Sequence, residues 1–269
     1  MSRRNFTRLA SHIYEYSGIK MPESKKTMLE GRLRRRLRAT GATSFDAYCD
    51  YLFTGENMVD EGVHLINAVT TNKTDFFREP AHFDYLTRNI LPEFRRAGVR
   101  TIRAWSSACS TGPEPYTIAM VLDDHAESHG GTYGILATDL DTDVLASARA
   151  GIYAHELIDP VPQHLARRYV MVSRDPRRGQ VRMVPALRSA IGFAKLNLMD
   201  SHYPVGAPFH LIFCRNVLIY FDKPTQRKVV TQLVDNLLPG GYLFLGHSES
   251  ITGLELPLTQ VANTVFRKG

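Results

Sequence analysis

Residues 101–120 read TIRAWSSACSTGPEPYTIAM, and this stretch decides the fold. Ile102, Ala104 and Trp105 have the makings of a short buried strand, and Ser106 to Gly112 are small or loop-forming. Pro113-Glu114-Pro115 then opens an apolar run through Ile118 and Met120. Small residues let a ligand lie against the backbone, and the helix that follows presents free N–H groups; proline costs nothing in a first helical turn. Glu114 argues against a phosphate cradle, because a carboxylate at that mouth would meet like charge. With no G-x-G-x-x-G and no Walker lysine, nicotinamide cofactors and nucleoside triphosphates lose ground. A ligand bearing hydroxyls or a positive charge fits better.

Outward from this stretch, strands and helices alternate, the mark of a doubly wound, mostly parallel α/β sheet. A second strand is expected over 133–138, ending in ATDLD, where Asp139 stands about where such folds keep an acid for ribose hydroxyls. A helix follows over 142–150. Residues 151–189 are too long for an ordinary connection and contain RYVMV and QVRMV around Asp175–Gly179, which predicts a β-hairpin, a small antiparallel insertion. Strands resume at 191–196 and 209–214, the latter with Arg215-Asn216 at its tip. A helix from Lys223-Pro224 to Pro239-Gly240-Gly241, a fifth strand over 242–245 and a closing hairpin complete the pattern.

Upstream, residues 1 to about 70 read as helical. Phe6, Leu9, Ile13 and Tyr16 form one stripe closed by Gly18; Leu29, Leu33 and Leu37 form the next, closed by Gly41. Ser44 suits a third helix as its cap, and Val63, Ile66 and Val69 suggest a fourth. Positions 25–38 hold seven Lys or Arg against the single acid Glu30. With Leu33 inward, a step of ~100° per residue puts Arg35 and Arg38 outward and Arg32 and Arg34 on the flanks. That density is either a solvated face or a docking face for an acidic partner. Between the domains, TTNKTDFFRE offers Phe76 and Phe77 as anchors and Asn72, Thr74 and Arg78 as polar residues placed to line a site. The expected division is therefore 1–75, helical, and 76–269, α/β.

The 269 residues are 43% hydrophobic and carry a formal charge of +6. No apolar run approaches the ~20 residues a membrane span needs, and the N-terminus lacks a signal-peptide core. Cys49, Cys109 and Cys214 are far apart and without C-x-x-C spacing. That argues for a reduced, cytoplasmic protein with neither disulfides nor a metal site. Cys109 has no His–Asp partnership and is read as a small buried thiol.

Glu114, Asp139, Asn197 and Asn216 fall at the ends of successive strands, where open α/β sheets bind ligands. Two acids and two amides without a phosphate grip suit a nucleoside with hydroxyls and a cation, a description that S-adenosylmethionine meets.

TNKTDFFRE, WSSACSTGPEPYTIAM, ATDLDTDVL, FHLIFCRNVLIYFDKPTQ and LLPGGYLFLGHSES together resemble the CheR family of chemotaxis receptor glutamate methyltransferases. The likeness covers essentially the whole chain; Pro113 departs from it, standing where many relatives carry a polar residue. The resemblance implies a class I S-adenosylmethionine-dependent methyltransferase, with S-adenosylhomocysteine as product. It implies a donor site of Asn72, Thr74, Arg78, Glu114, Asp139, Asn197, Leu198, Arg215 and Asn216. It makes receptor glutamates the acceptors, Arg78 the group that steers the acceptor carboxylate and Tyr220 a wall or hydrogen bond beside it. His247 and Glu249 are expected to have structural roles near the pocket. The resemblance further implies docking of Arg32, Arg34, Arg35 and Arg38 on helical receptors. Some members tether a receptor C-terminal tail on the insertion, where 169–183 offers a strand edge. A monomer without nucleic acid or membrane insertion is expected. A nucleic-acid methyltransferase and a non-catalytic S-adenosylmethionine-binding adaptor remain as alternatives; the fourth strand ends in CRNVLIY and lacks the N-P-P-Y type of motif that holds a flipped base.

Overall fold

The computed structural model describes residues 1–269, the side chain of Pro176 apart. Four helices come first: α1 (Arg3–Ser17), α2 (Lys26–Thr40), α3 (Phe45–Leu52) and α4 (Asn57–Val69). Their ends follow the expected signals. The Ser2 and Ser44 hydroxyls accept from Asn5 N and Ala47 N, and Gly18 and Gly41 turn left-handed at φ 71° and 73°. Phe6, Leu9, Ile13, Leu29, Leu33, Tyr48, Leu52, Leu65 and Val69 form one core. Each such side chain contributes ~1.5–3 kcal/mol by leaving water.

The linker then leads into α5 (Pro80–Tyr85), a π-helical turn and α6 (Leu91–Arg96). The α/β domain continues as β1 (Thr101–Ser106), α7 (Pro113–His129), β2 (Thr132–Asp139), α8 (Thr142–Ala150), β3 (Ile152–Ala154), α9 (Gln163–Tyr169), β4 (Val170–Val172), β5 (Gln180–Met183), α10 (Pro185–Ser189), β6 (Ile191–Lys195), β7 (Phe209–Cys214), α11 (Lys223–Asp235), β8 (Leu237–Leu245), β9 (Leu258–Ala262) and β10 (Val265–Lys268). The seven-stranded sheet runs β6-β2-β1-β7-β8-β10-β9. The first five pair in parallel, and β10 pairs antiparallel with β8 and β9. Central strands buried on both faces need continuous apolar sequence, which FHLIFC supplies in β7. On one face Phe213 stacks on Phe244 at 4.3 Å; on the other Trp105 packs against Phe209 and Tyr203.

Two expectations need correction. The helix before β8 ends at Asp235, so Pro239-Gly240-Gly241 lies inside the strand. The chain can resume pairing there because the β7–β8 register shifts between Phe209 and Leu211. The insertion is a three-stranded sheet ordered β3-β5-β4, more than the expected hairpin, and Tyr169 belongs to α9. Its two edge strands, β3 and β4, have three residues each.

The order reverses at β1, with β2 on one side and β7 on the other. Open sheets part at such a switch point, beyond the strands' C-terminal ends. Phe76, fully buried, packs edge-on against Tyr153, and Phe77 packs against Phe83, so the linker is pinned across that opening.

Candidate active site

A cleft of about 890 Å³, part of it open to solvent, lies at the switch point. Its wall includes every residue expected at the donor site, namely Asn72, Thr74, Arg78, Glu114, Asp139, Asn197, Leu198, Arg215 and Asn216, and Tyr220 as well. Ser17 and Ile19, from the turn after α1, also line it.

At the β2 tip the geometry is local. Asp139 is 9% exposed; its Oδ2 accepts from Ser110 N at 2.8 Å and its Oδ1 from Asp141 N at 3.0 Å. Burial raises its pKa, and those two amides oppose the rise. Each oxygen keeps a lone pair free for a hydroxyl. Asp141 went unnoticed in the sequence, although D-T-D-V is a legible helix start. Its Oδ1 caps α8 through Asp143 N and Val144 N, while its Oδ2 accepts from Thr70 Oγ1 and from Asn72 Nδ2, both at 2.7 Å. One buried carboxylate thus orients Asn72 and ties the linker to the sheet.

At the β7 tip the geometry is long-range. Arg215 donates from Nε to Glu114 Oε2 at 2.8 Å, and from Nη1 to the Arg78 carbonyl at 2.9 Å and to His82 Nδ1 at 3.0 Å. Glu114 also accepts from Ser106 Oγ at 2.6 Å. Thus the carboxylate at the mouth of α7 is neutralised by a strand tip 101 residues away. Burial, and then the Arg215 charge, push His82 down to about 4, so it is neutral there and accepts on Nδ1. Asn216 is left-handed at φ 58°. It is held by Glu249, whose Oε2 accepts from Asn216 N and Gly246 N and whose Oε1 accepts from Leu218 N. Glu249 therefore organises backbone, and His247 does not line the cleft. A Cβ on Gly246 would lie 2.5 Å from Asn216 Nδ2, so only glycine lets the two loops approach.

Four of the five non-glycine residues with positive φ, Phe77, Glu79, Ser110 and Asn216, lie in the loops that build this cleft. Strained backbone of this kind persists only where surrounding structure over-determines it, which favours a preorganised site.

The remaining expectations divide. Arg78 lines the cleft with Nη1 on the Lys73 carbonyl at 2.9 Å. Tyr220, half-buried, lines the same cleft. Asn197 is largely engaged already: its Nδ2 donates to the Tyr16 carbonyl at 2.6 Å and its Oδ1 accepts from Met199 N at 3.0 Å. Burial pushes the thiols of Cys109 and Cys214 well up, which leaves both protonated and inert. On α2, Arg35 and Arg38 are exposed as expected, and Arg34, expected on a flank, is exposed as well. Arg32 is a correction: it folds onto the linker, donating to the Val69 and Thr70 carbonyls and to Thr71 Oγ1. Carbonyls left free at the end of α4 attract it there. Arg36 likewise pairs with buried Glu61 at 2.7 Å, so part of the helix's charge is compensated internally.

Residues 72–266 match the profile of the CheR methyltransferase, SAM binding domain, and residues 4–70 that of the CheR methyltransferase, all-alpha domain. The chain belongs to the CheR methyltransferase family. The chemotaxis protein methyltransferase of Escherichia coli is 41% identical over 266 residues, spanning 99% of this chain and 91% of its own length. That of Salmonella typhimurium is 42% identical over 267 residues, with 99% and 90% covered. Chemotaxis protein methyltransferase 2 of Pseudomonas aeruginosa is 37% identical over 265 residues, with 98% and 93% covered. As a CheR methyltransferase this chain is an S-adenosylmethionine-dependent enzyme, and most of the cleft wall belongs to its S-adenosylmethionine-binding domain. Among the described residues, no helix is long and apolar enough to cross a membrane.

Proposed function

We propose that the protein methylates glutamate side chains of chemotaxis receptors, forming methyl esters at the cleft between its two domains. The observation that carries this reading is the cleft's composition. One wall offers Asp139, Glu114 and three asparagines, Asn72, Asn197 and Asn216, to a hydroxyl-bearing cationic donor, and the half-buried Arg78 and Tyr220 sit in the same wall. S-adenosylmethionine, when bound, supplies a methyl group activated by its sulfonium sulfur. A glutamate acceptor, with its ordinary pKa near 4.3, is already a carboxylate at neutral pH. A carboxylate oxygen forms the new bond to the methyl carbon, the C–S pair returns to sulfur, and no proton moves. The protein therefore has to align the reactants and exclude water, and such positioning lowers barriers by several kcal/mol.

Asp139 is assigned the ribose hydroxyls, with Asn72, Thr74, Glu114, Asn197, Leu198, Arg215 and Asn216 completing the donor seat. Arg78 is assigned the acceptor carboxylate. A guanidinium beside a sulfonium is tolerable when a carboxylate arrives between them, and its planar fork orients that carboxylate. Residues 1–75 dock the receptor through Arg34, Arg35 and Arg38, and residues 76–269 carry the chemistry as a cytoplasmic monomer. The exposed Met171 and Val172 on edge strand β4 offer backbone pairing to an extended receptor tail.

Methyl-labelled S-adenosylmethionine mixed with protein and receptor-containing membranes tests this: the label should become base-labile and leave as methanol. Label in nucleic acid, or tight donor binding without transfer, would overturn the reading.

A further inference from the structure

We propose that Glu79, a residue outside the cleft wall, is a positioning residue that biases the site electrostatically toward the charged donor over the demethylated product. This rests on the donor assignment above and deepens it.

Glu79 immediately precedes α5, and its side chain makes no capping bond to the helix. Its backbone is instead left-handed at φ 57°. The carboxylate turns toward the β7 tip, where Oε1 accepts from Asn216 Nδ2 at 3.2 Å and from His247 N at 3.1 Å. Oε2 is buried without a hydrogen-bond partner. It lies 3.7 Å from Arg215 Nη1, 3.5 Å from His82 Nδ1 and 4.0 Å from His247 Nε2. Burial works against this carboxylate, but the His247 amide, Asn216 and Arg215 win and hold it ionised.

Glu79, His82 and His247 bring candidate ligand atoms within 4.8 Å of one another, a spacing that would suit a metal ion. Arg215 argues against that use, since His82 Nδ1 already accepts from its guanidinium and a divalent cation would meet that charge. What remains is a charge surplus. Two carboxylates, Glu79 and Glu114, converge on the single cation Arg215, beside a neutral His82. Glu114 already supplies Arg215's close partner at Nε. The second carboxylate is thus superfluous for pairing and lends the corner negative charge at low dielectric.

S-adenosylmethionine carries one more positive charge than S-adenosylhomocysteine, the sulfonium. A buried negative charge fixed behind the seat favours the former, and losing it on transfer weakens the product's hold. Glu79 acts through the groups it faces, without touching the ligand.

Calorimetric titration of wild type, Glu79→Gln and Glu79→Asp with S-adenosylmethionine, with sinefungin (an uncleavable cationic analogue) and with S-adenosylhomocysteine tests this. Glu79→Gln keeps the shape and the Oε1 acceptor. We expect it to weaken both cationic ligands by roughly three- to tenfold more than the product, while Glu79→Asp stays near the wild-type ratio. Equal weakening of all three ligands, or no change, would overturn the charge role and leave Glu79 a structural brace. Should Glu79→Gln fail to fold, Glu79→Ala decides alone: loss of the charge must cost both cationic ligands more than the product, and equal losses would overturn the proposal. Wild type binding none of the three would instead overturn the donor assignment itself.

Discussion

The tips of β2 and β7 face the same cleft and are built on opposite plans. Asp139 at the β2 tip is fixed by amides of Ser110 and Asp141, from its own loop and the adjoining one. Arg215 and Asn216 at the β7 tip are fixed by side chains of residues 79, 82, 114 and 249, drawn from three separate segments. A tip held by backbone tolerates loss of its side chain with a local cost. One held by buried charges does not, because each removed partner leaves another charge stranded.

The largest effect should therefore come from Arg215→Ala. It strands Glu114, and stability should fall by about 3–5 kcal/mol in urea unfolding. A loss below about 1 kcal/mol would mean that the β7 tip is no more interdependent than the β2 tip. Next comes Arg78→Ala, expected to lower turnover at saturating donor on the order of 10²-fold while barely moving donor affinity. Lysine should rescue poorly, lacking the planar fork. Near-normal turnover would remove Arg78 from the acceptor site. Asp139→Ala should cost about 1.5–3 kcal/mol of affinity for S-adenosylhomocysteine by calorimetry, with a smaller loss of stability than Arg215→Ala. An unchanged dissociation constant would cancel the ribose assignment.

Acid probes the β7 corner separately. Folding lowers the His82 pKa from 6.5 to about 4, so between those values the unfolded chain takes up a proton that the folded chain refuses. Its contribution to stability is full above about pH 6.5 and is lost as pH falls toward 4, amounting to about 2 kcal/mol by pH 5. Asp139 and Glu249, whose pKa values are raised by burial, work in the opposite direction. The comparison is therefore between wild type and His82→Gln: the difference in urea midpoint between pH 7 and pH 5 should shrink in the variant. Smallest in stability, within about 0.5 kcal/mol, should be charge reversal at the exposed Arg35 and Arg38. Receptor methylation should fall, and added salt should mimic the loss. Normal methylation in low salt would make this face a solvated one.

The same contrast explains what could be read in advance. Signals spanning a few residues were legible: the caps at Ser44 and Gly18, the helix over 142–150 and the strand over 209–214 matched their elements. Asp139 was legible because a strand-end acid is a local pattern. The partnership of Arg215 with Glu114, the neutral acceptor His82 and the Glu79 carboxylate at Asn216 depend on contacts between segments 101 to 137 residues apart, which no window of sequence displays. Arg32 failed for the same reason. A helical wheel places it on a flank, but the open carbonyls that capture it belong to the end of α4. The extra strand β3 was missed because IYA is too short for any alternation to register.

The turn after α1 has a consequence for how such a chain can be recombined. Gly18 sits so close to Met199 and Phe221 that a Cβ would approach them to 2.7 and 2.9 Å. The neighbouring Tyr16 carbonyl takes the Asn197 amide, and the Tyr14 hydroxyl donates to Asp222. The helical domain thus forms part of the roof of the cofactor chamber. Exchanging it between relatives swaps a wall of the reaction vessel along with the recognition surface, so a chimera that conserves every catalytic-domain residue still inherits a leaking chamber unless this turn is transplanted with its seat.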